Sequence, residues 1–250
     1  AGIALNDVFD LETDRRERPK RPLPSGAVSL RFAWGVGIAG MILGPSLAFL
    51  SGSTASGLTA LALAGAILAY DLGLRRTVLG PETMGLCRSL NLLMGLAYAP
   101  NFAGPAGWFA AASVGIFVCG ITWISRWEAE AGRLEGLTAG LILENLGLAG
   151  LLASALSLFP FPAVSGGPRS LPMEGLLILL MVGLYVNRAG GRAVKEPVPA
   201  RLQAAVKAGV LSLSWLDVGL TASIVGLGPA LLVLAFWIPA PFLARKLYST

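Results

Sequence analysis

The chain has 250 residues, of which 55% are hydrophobic and only 13% are charged, and its mean hydropathy is +0.71. Soluble domains carry about 25% charged residues, so this composition excludes an ordinary soluble enzyme. Recurring apolar runs of helical length instead predict an all-α, polytopic transmembrane helical bundle that forms one domain over residues 1–250. The chain contains no His, which excludes a His-based zinc site or a Ser-His-Asp triad within it.

The first charged segment, residues 6–14, is acidic. Asp7, Asp10 and Asp14 are spaced i, i+3 and i+7, so on a helix their carboxylates fall within an arc of roughly 60°. Asn6 lies beside them. Three acids on one face repel each other unless a cation neutralises them, and oxygen ligands without His or Cys favour a hard ion such as Mg²⁺. The alternative is a juxtamembrane acidic cluster that is paired with its own arginines.

A basic, proline-containing segment follows at residues 15–22. Its arginines are suited to bind the phosphates of a metal-bound substrate, so the two segments together predict a metal–diphosphate site. Residues 1–5 are apolar, as the last turn of an upstream helix would be, and no initiator Met precedes them. We therefore expect the chain to be N-terminally incomplete, with its first one or two helices missing.

Apolar segments of membrane-spanning length follow along the chain. They lie near 30–50, 57–75, 84–103, 107–125, 136–158, 171–187, 208–225 and 228–244. Basic residues cluster in alternate connections, at 15–21, 75–76, 126–133, 188–201 and 245–246. The positive-inside rule therefore predicts that the acidic motif, the 126–135 loop and the C-terminus lie in the cytoplasm. We expect an integral protein of the bacterial inner membrane.

Residues 35–40 match the G-x-G-x-x-G nucleotide-binding pattern. They lie inside an apolar span with no strand before it, whereas the nucleotide-binding fingerprint requires a strand–turn–helix context. Small residues at helical spacing favour close helix packing within the membrane.

The acidic motif and the tail Arg18-Pro19-x-Arg21-Pro22-Leu23-Pro24-Ser25-Gly26 together resemble the first Asp-rich motif of the UbiA family of intramembrane prenyltransferases. The resemblance implies transfer of an isoprenyl group from a prenyl diphosphate to an aromatic or related lipophilic acceptor, with Mg²⁺ as cofactor. It also implies partners in membrane lipid and none in nucleic acid. Asp7, Asp10 and Asp14 would be the catalytic metal ligands with Asn6 as an auxiliary donor, and Arg18 and Arg21 would contact the diphosphate.

A second likeness follows the span that ends near residue 75. Tyr70-Asp71-x-x-x-Arg75-Arg76 resembles the family's Tyr and basic pair at the end of its fourth helix, which implies that Tyr70, Arg75 and Arg76 bind diphosphate. Residues 79–91 resemble the EboC subgroup of bacterial homologues.

The second Asp-rich motif of the family has no close counterpart, since the corresponding loop, residues 125–136, contains no Asp. Glu128 and Glu135 are seven residues apart and could share a helical face, so we expect both to reach the metal. A solvated loop of mixed charge is the alternative, because structural charge networks resemble functional sites.

Polar residues also interrupt the predicted spans, where burial in lipid is costly. Arg88 and Asn91 are spaced i and i+3 and would bind diphosphate or acceptor, although hydrogen bonding between helices explains them as well. Glu144 or Asp217 would pair with Arg88 or take a proton from the acceptor. A buried structural ion pair is the alternative for each.

The function predicted from the sequence is Mg²⁺-dependent isoprenyl transfer within the membrane. One rival is a non-catalytic relative that binds or transports lipid and has lost the second Asp-rich motif. A more distant rival is a cation transporter, whose acids should lie at the bilayer midplane rather than at its edge.

Overall fold

The computed structural model describes residues 1–98, 104–126, 134–156 and 173–237, and these residues form α-helices without any strand. The helices are α1 (Gly2–Phe9), α2 (Leu11–Glu17), α3 (Leu30–Leu50), α4 (Thr54–Leu72), α5 (Gly80–Leu96), α6 (Pro105–Arg126), α7 (Leu134–Ala155), α8 (Met173–Lys195), α9 (Pro199–Ile224) and α10 (Leu227–Trp237). A 3-10 turn, Leu74–Arg76, follows α4. The predicted all-α fold is confirmed.

Six helices are long and apolar enough to cross a membrane, namely α3, α4, α6, α7, α8 and α9. The sequence predicted eight spans. The two others correspond to α5, which has 17 residues and includes the charged residues Glu82 and Arg88, and to α10, which is described over 11 residues. The membrane helix bundle is confirmed, and the number of candidate spans in the described part of the chain is smaller than predicted.

Two helices begin earlier than the apolar pattern indicated. Pro81 lies in the first turn of α5, and Pro199 begins α9. Proline is favoured at the first position of a helix because its fixed φ suits the helix and its missing N–H would have no intrahelical partner. The polar turns that follow Pro199 are helical but carry no hydropathy signal, so the predicted start near 208 was too late.

From α3 onward, helices adjacent in sequence pack against each other as antiparallel neighbours, and α6 also packs against α9. The turns 73–79 and 196–198 therefore lie at the same end of the bundle as the C-terminus of α6. At this end Arg126 of α6 donates a hydrogen bond to the carbonyl oxygen of Thr77. The short helix α1 packs on α3 and α4, which places the acidic motif beside the turn after α4.

The main apolar core lies between α6, α7, α8 and α9. Its fully buried side chains include Phe117, Leu151, Leu179 and Leu216. Burying each such side chain contributes roughly 1.5–3 kcal/mol relative to exposure in water. In a membrane, where lipid is as apolar as these side chains, close packing supplies more of the association free energy than exclusion of water does.

Glycines allow several helices to approach closely. A Cβ atom on Gly37 would lie 2.5 Å from the Leu5 side chain, and one on Gly40 would lie 2.7 Å from Ala1. Two of the three glycines of the G-x-G-x-x-G segment thus face α1 or its N-cap, whereas a Cβ on Gly35 would meet no atom within 4 Å. The close approach at Gly37 and Gly40 agrees with the packing interpretation of that segment. Between α6 and α7, a Cβ on Gly120 would lie 2.5 Å from the carbonyl oxygen of Gly140.

The contact at Gly120 yields a stability prediction. Gly120→Ala should lower the unfolding temperature in detergent, because its methyl group would force α6 and α7 apart, and overpacking of this kind costs about 1–3 kcal/mol. Gly191→Ala is the matched control, since Gly191 is also helical and a Cβ there meets no atom within 4 Å. The control should be neutral or stabilising by helix propensity, and equal destabilisation by both substitutions would contradict the packing argument.

Candidate functional site

The acidic motif forms two short helices with one break. Asp10 lies between α1 and α2, yet its N–H donates to the Asn6 carbonyl at 2.9 Å, and the Asp14 N–H donates to the Asp10 carbonyl at 2.8 Å. These i→i−4 bonds keep the backbone near the helical path across the break. The predicted spacing of the acids along a helix is therefore nearly preserved.

Arginines from the two flanking segments pair with the acids of the motif. Arg21 donates to Asp14 at 2.7 Å, and its guanidinium also lies 3.7 Å from a carboxylate oxygen of Asp7. Arg75, in the 3-10 turn after α4, donates to Asp10. The Asp14 residue is only 5% exposed, so its charge would be costly without this partner. The arrangement contains the arginine-paired acidic cluster that was the alternative reading of the motif.

Asn6 connects the motif to α4. Its amide donates to Oδ1 of Asp71 at 3.0 Å, and Asp71 is 5% exposed. The second carboxylate oxygen of Asp71 is buried and has no hydrogen-bond partner among the described residues. Asp71 belongs to the second likeness, Tyr70-Asp71-x-x-x-Arg75-Arg76, but no role was predicted for it. The signal that could have found it is an acid in the last turn of an apolar span, which is rare without a function.

A cavity of about 340 Å³ opens between α1, α4 and α5. Its wall combines polar groups with aliphatic and sulfur-containing side chains. It is lined by Gly2, Ile3, Asn6, Ile67, Tyr70, Asp71, Met84 and Cys87. The structure thus brings Asn6 of the first motif and Tyr70 of the second likeness to one cavity, next to the paired acids.

The ionised form of the Asp7 carboxyl is disfavoured by its surroundings in the cluster. Partial burial raises the pKa of the Asp7 carboxyl above its usual value; the Arg21 guanidinium opposes this shift, and the carboxylates of Asp14 and Asp10 add to it. Added positive charge near Asp7 would favour its ionised form. Arg21 therefore does not fully offset the effect of burial and of the neighbouring carboxylates on Asp7.

The donor set fits Mg²⁺ in its chemistry, since it consists of carboxylate and amide oxygens with one buried, unpaired oxygen on Asp71 close by. As the side chains stand, the described ranges hold no group of three or more acidic or sulfur ligands close enough to share one ion. Arginines occupy the positions between the acids. The metal-ligand roles of Asp7, Asp10 and Asp14 remain predictions.

The other residues predicted at the diphosphate and metal divide into two groups. Arg18 and Arg76 are exposed, and neither forms an ion pair with another residue in the described segments. Glu135 is exposed in the first turn of α7, whereas Glu128 lies outside the described residues. Arg126, the last residue of α6, donates to the carbonyl oxygen of Arg75 at 3.4 Å.

Arg88 of α5 and Asp217 of α9 form an ion pair. Arg88 also donates to Asn91 at 3.4 Å. Of the two acids expected to pair with Arg88, the structure selects Asp217. Glu144 is 1% exposed, and neither of its carboxylate oxygens has a hydrogen-bond partner among the described residues. Glu144 packs against Gly120 and Gly209, in the interior of α6, α7 and α9.

Comparison with known proteins locates the chain among membrane prenyltransferases. Digeranylgeranylglyceryl phosphate synthase of Metallosphaera sedula is 40% identical over 95 residues, which are 38% of this chain and 33% of that protein. The synthase of the same name from Methanococcoides burtonii is 36% identical over 96 residues, or 38% and 34% of the two chains. 4-Hydroxybenzoate octaprenyltransferase of Polaromonas naphthalenivorans is 25% identical over 198 residues, or 74% and 66%. No solved structure gives a significant match.

The chain spans about a third of the length of the two synthases. The likeness of residues 79–91 to the EboC subgroup stays a prediction. The family itself rests on a longer match, since residues 1–203 fit the UbiA prenyltransferase family over both the acidic motif and most of the helical bundle. The chain therefore belongs to the UbiA prenyltransferase family.

Proposed function

We propose that this protein transfers an isoprenyl group from a prenyl diphosphate to a lipophilic or aromatic acceptor within the membrane, with Mg²⁺ as cofactor. One observation carries the proposal: the acidic motif and the end of α4 are joined by the Asp10–Arg75 ion pair and by the Asn6–Asp71 hydrogen bond, whose two residues line one cavity. Family membership and the printed names of the relatives support prenyl transfer as the reaction class.

The acidic cluster would bind the diphosphate end of the donor. Asp7, Asp10 and Asp14 would hold Mg²⁺ with Asn6 nearby, and the ion would stabilise negative charge on the departing diphosphate as a Lewis acid. Arg21 and Arg75 now neutralise these acids. Both guanidiniums lie where they could exchange a carboxylate for a phosphate, a ligand that arginine binds in the same bidentate manner.

Exposed and half-buried groups around the cluster would complete the diphosphate site. Arg18 and Arg76 are exposed beside it and are free to turn toward the outer phosphate oxygens. Tyr70 lines the cavity between Asp71 and the apolar wall formed by Ile67 and Met84. Its hydroxyl would donate to the diphosphate, while the apolar wall would contact the start of the isoprenyl chain and exclude water from the ionising bond.

The distribution of charge indicates on which side of the membrane the acidic end of the bundle would lie. Basic residues concentrate in the connections at the acidic end of the bundle, which favours a cytoplasmic location for that end. A charged diphosphate would then meet the cluster from the cytoplasm, and its apolar chain would extend into the bundle. A bacterial inner membrane fits this arrangement and remains part of the proposal.

The rival function is a non-catalytic lipid-binding or transport protein. It is favoured by the Glu residues that replace the second Asp-rich motif and by the exposed position of Glu135. A protein of this kind would bind prenyl diphosphate through the first motif alone and release it unchanged. Turnover therefore separates the two functions more sharply than binding does.

The role of Asp10 can be tested in purified protein incubated with labelled geranylgeranyl or farnesyl diphosphate, Mg²⁺ and a panel of acceptors. Asp10→Asn should reduce metal-dependent diphosphate release by at least about 100-fold, since it removes a charge that holds the ion and orders Arg75. Glu12→Gln is the matched control, because Glu12 lies in the same short segment, is exposed and pairs only locally with Arg15 among the described residues. Its activity should stay within a factor of two.

Three outcomes decide between the functions. Release that requires Mg²⁺ and is lost in Asp10→Asn alone supports the enzyme. Tight donor binding with no turnover over the whole acceptor panel supports the carrier. Equal losses in Asp10→Asn and Glu12→Gln would show that the motif is sensitive to any change of charge and would contradict a specific role for Asp10.

The Asn6–Asp71 contact predicts a coupled effect on stability. Asn6→Ala should lower the free energy of unfolding by about 1–3 kcal/mol, because it leaves both carboxylate oxygens of buried Asp71 without a partner. The double variant Asn6→Ala/Asp71→Leu should recover part of this loss, since it removes the unpaired acid. Thermal unfolding in detergent measures both, and strictly additive losses would argue against the contact.

A further inference from the structure

The ion pair between Arg88 and Asp217 lies apart from the acidic cluster. It joins α5 to α9, two helices that are not neighbours in sequence, and its side chains are 29% and 32% exposed. The Nε of Arg88 is buried and has no hydrogen-bond partner among the described residues. Asn91, one turn further along α5, is exposed and accepts a hydrogen bond from Arg88. The pair is therefore accessible and has hydrogen-bonding capacity left over.

The position of Arg88 on α5 connects this pair to the cavity beside the acidic cluster. Met84 and Cys87 line that cavity. At about 100° per residue, Met84, Cys87, Arg88 and Asn91 share a face roughly 100° wide. Arg88 lies about 6 Å further along the helix axis than Met84, and Asn91 about 10 Å further. The face of α5 that lines the cavity at Met84 and Cys87 thus continues along the helix to Arg88 and Asn91.

We propose that Arg88, Asn91 and Asp217 bind the prenyl acceptor by an uncharged hydroxyl group and that Asp217 accepts the proton of that hydroxyl. The inference rests on the proposed function and deepens it by naming the acceptor class. From the sequence, Arg88 and Asn91 were expected to bind either the diphosphate or the acceptor. Pairing of Arg88 with Asp217, on the face that leads away from the acidic cluster, favours the acceptor.

Charge balance explains why the bound group is uncharged. The guanidinium of Arg88 is already matched by the carboxylate of Asp217. An anionic ligand would have to break this pair and leave Asp217 without its counter-charge, which is unfavourable at a partly buried site. A hydroxyl group can use both partners at once, since it accepts from Arg88 or Asn91 and donates to Asp217.

The chemistry is balanced with this assignment. The hydroxyl oxygen attacks C1 of the isoprenyl group and forms a C–O bond. The bond between C1 and the diphosphate oxygen breaks, and its electron pair leaves with the diphosphate. The hydroxyl proton passes to a carboxylate oxygen of Asp217, which acts as the general base. No further reactant is required.

Equilibrium binding tests the acceptor class without turnover. The protein in phospholipid nanodiscs is titrated with two matched pairs of probes, each with a neutral hydroxyl and a carboxylate member: 4-hexylphenol and 4-hexylbenzoate, and 1-hexadecylglycerol and hexadecanoate. The wild type should bind the preferred hydroxyl probe at least tenfold more tightly than its carboxylate partner. The pair that shows the larger preference distinguishes an aromatic acceptor from a lipid acceptor.

Substitutions in the pair should change this preference in opposite ways. Asp217→Asn should reverse it, because Arg88 then lacks its counter-charge and attracts a carboxylate. Asn91→Leu should weaken hydroxyl binding by about fivefold, the value of one neutral hydrogen bond, and it alters an exposed side chain that is not part of the core. Glu196→Gln is the matched control, since it removes the acid of the exposed Arg201–Glu196 pair and should leave both affinities unchanged.

Turnover and donor binding separate this inference from the proposed function. Asp217→Asn should reduce acceptor-dependent turnover by about 100-fold or more and leave the Kd of geranylgeranyl diphosphate within a factor of two. If Asp217→Asn fails to fold, Asn91→Leu provides the same test through the KM for the hydroxyl acceptor. If the wild type prefers the hydroxyl probes but shows no turnover, the proposed enzyme function is contradicted. The proposed hydroxyl-binding site is then still supported.

Two results would overturn the inference. Tighter binding of the carboxylate probes by the wild type would show that Arg88 serves an anionic acceptor. A loss of geranylgeranyl diphosphate binding in Asp217→Asn and Asn91→Leu that equals the loss of turnover would return these residues to the diphosphate site.

Discussion

The arrangement of the acidic end depends on the need to neutralise carboxylates at the edge of an apolar bundle. Asp14 is almost fully buried, and Asp10 lies at the junction of two short helices. Each is held by an arginine from another segment, Arg21 from the following turns and Arg75 from the end of α4. Because such pairs gain strength as water is excluded, they determine how α1 and α2 lie against the rest of the bundle.

Close helix packing gives this charged end a rigid support. The glycines Gly37 and Gly40 admit α1 against α3, and Gly120 and Gly140 bring α6 and α7 into backbone contact. Since α6 packs on both α5 and α9, it fixes the separation between these two helices. That separation is what allows Arg88 to reach Asp217. The acidic cluster and the Arg88–Asp217 pair are thus supported by the same packed helices. Their relative positions depend on the packing of small residues between those helices.

The sequence predicted those features that depend on local pattern. Apolar runs predicted the membrane helices, and the spacing of Asp7, Asp10 and Asp14 predicted an acidic face that the structure nearly preserves. Contacts over long separations were beyond a single sequence. Arg88 and Asp217 are 129 positions apart, and nothing in either segment distinguished Asp217 from Glu144 as the partner. Asp71 was missed for the same reason, since its role depends on Asn6, 65 positions away.

The starts of α5 and α9 could not be predicted from hydropathy, because a proline lies in the first turn of each helix. The preference of proline for the first turn of a helix does not depend on hydropathy. The metal-ligand roles of Asp7, Asp10 and Asp14 stay predictions. The arginine pairs are compatible with both the metal site and its alternative, because a guanidinium that neutralises an acid in one state can bind phosphate in another.

The two proposed polar sites require different net charges, and one face of α5 connects them. The proposed diphosphate site needs excess positive charge, which the exposed Arg18 and Arg76 would supply. A hydroxyl acceptor demands a pair without net charge, which Arg88 and Asp217 provide. Met84 and Cys87 line the cavity beside Asn6 and Asp71, and Arg88 follows Met84 by about one helical turn of α5. A developing allylic cation placed at the height of Met84 and Cys87 would lie between the leaving diphosphate and the attacking oxygen, out of contact with water, as a displacement within a membrane requires.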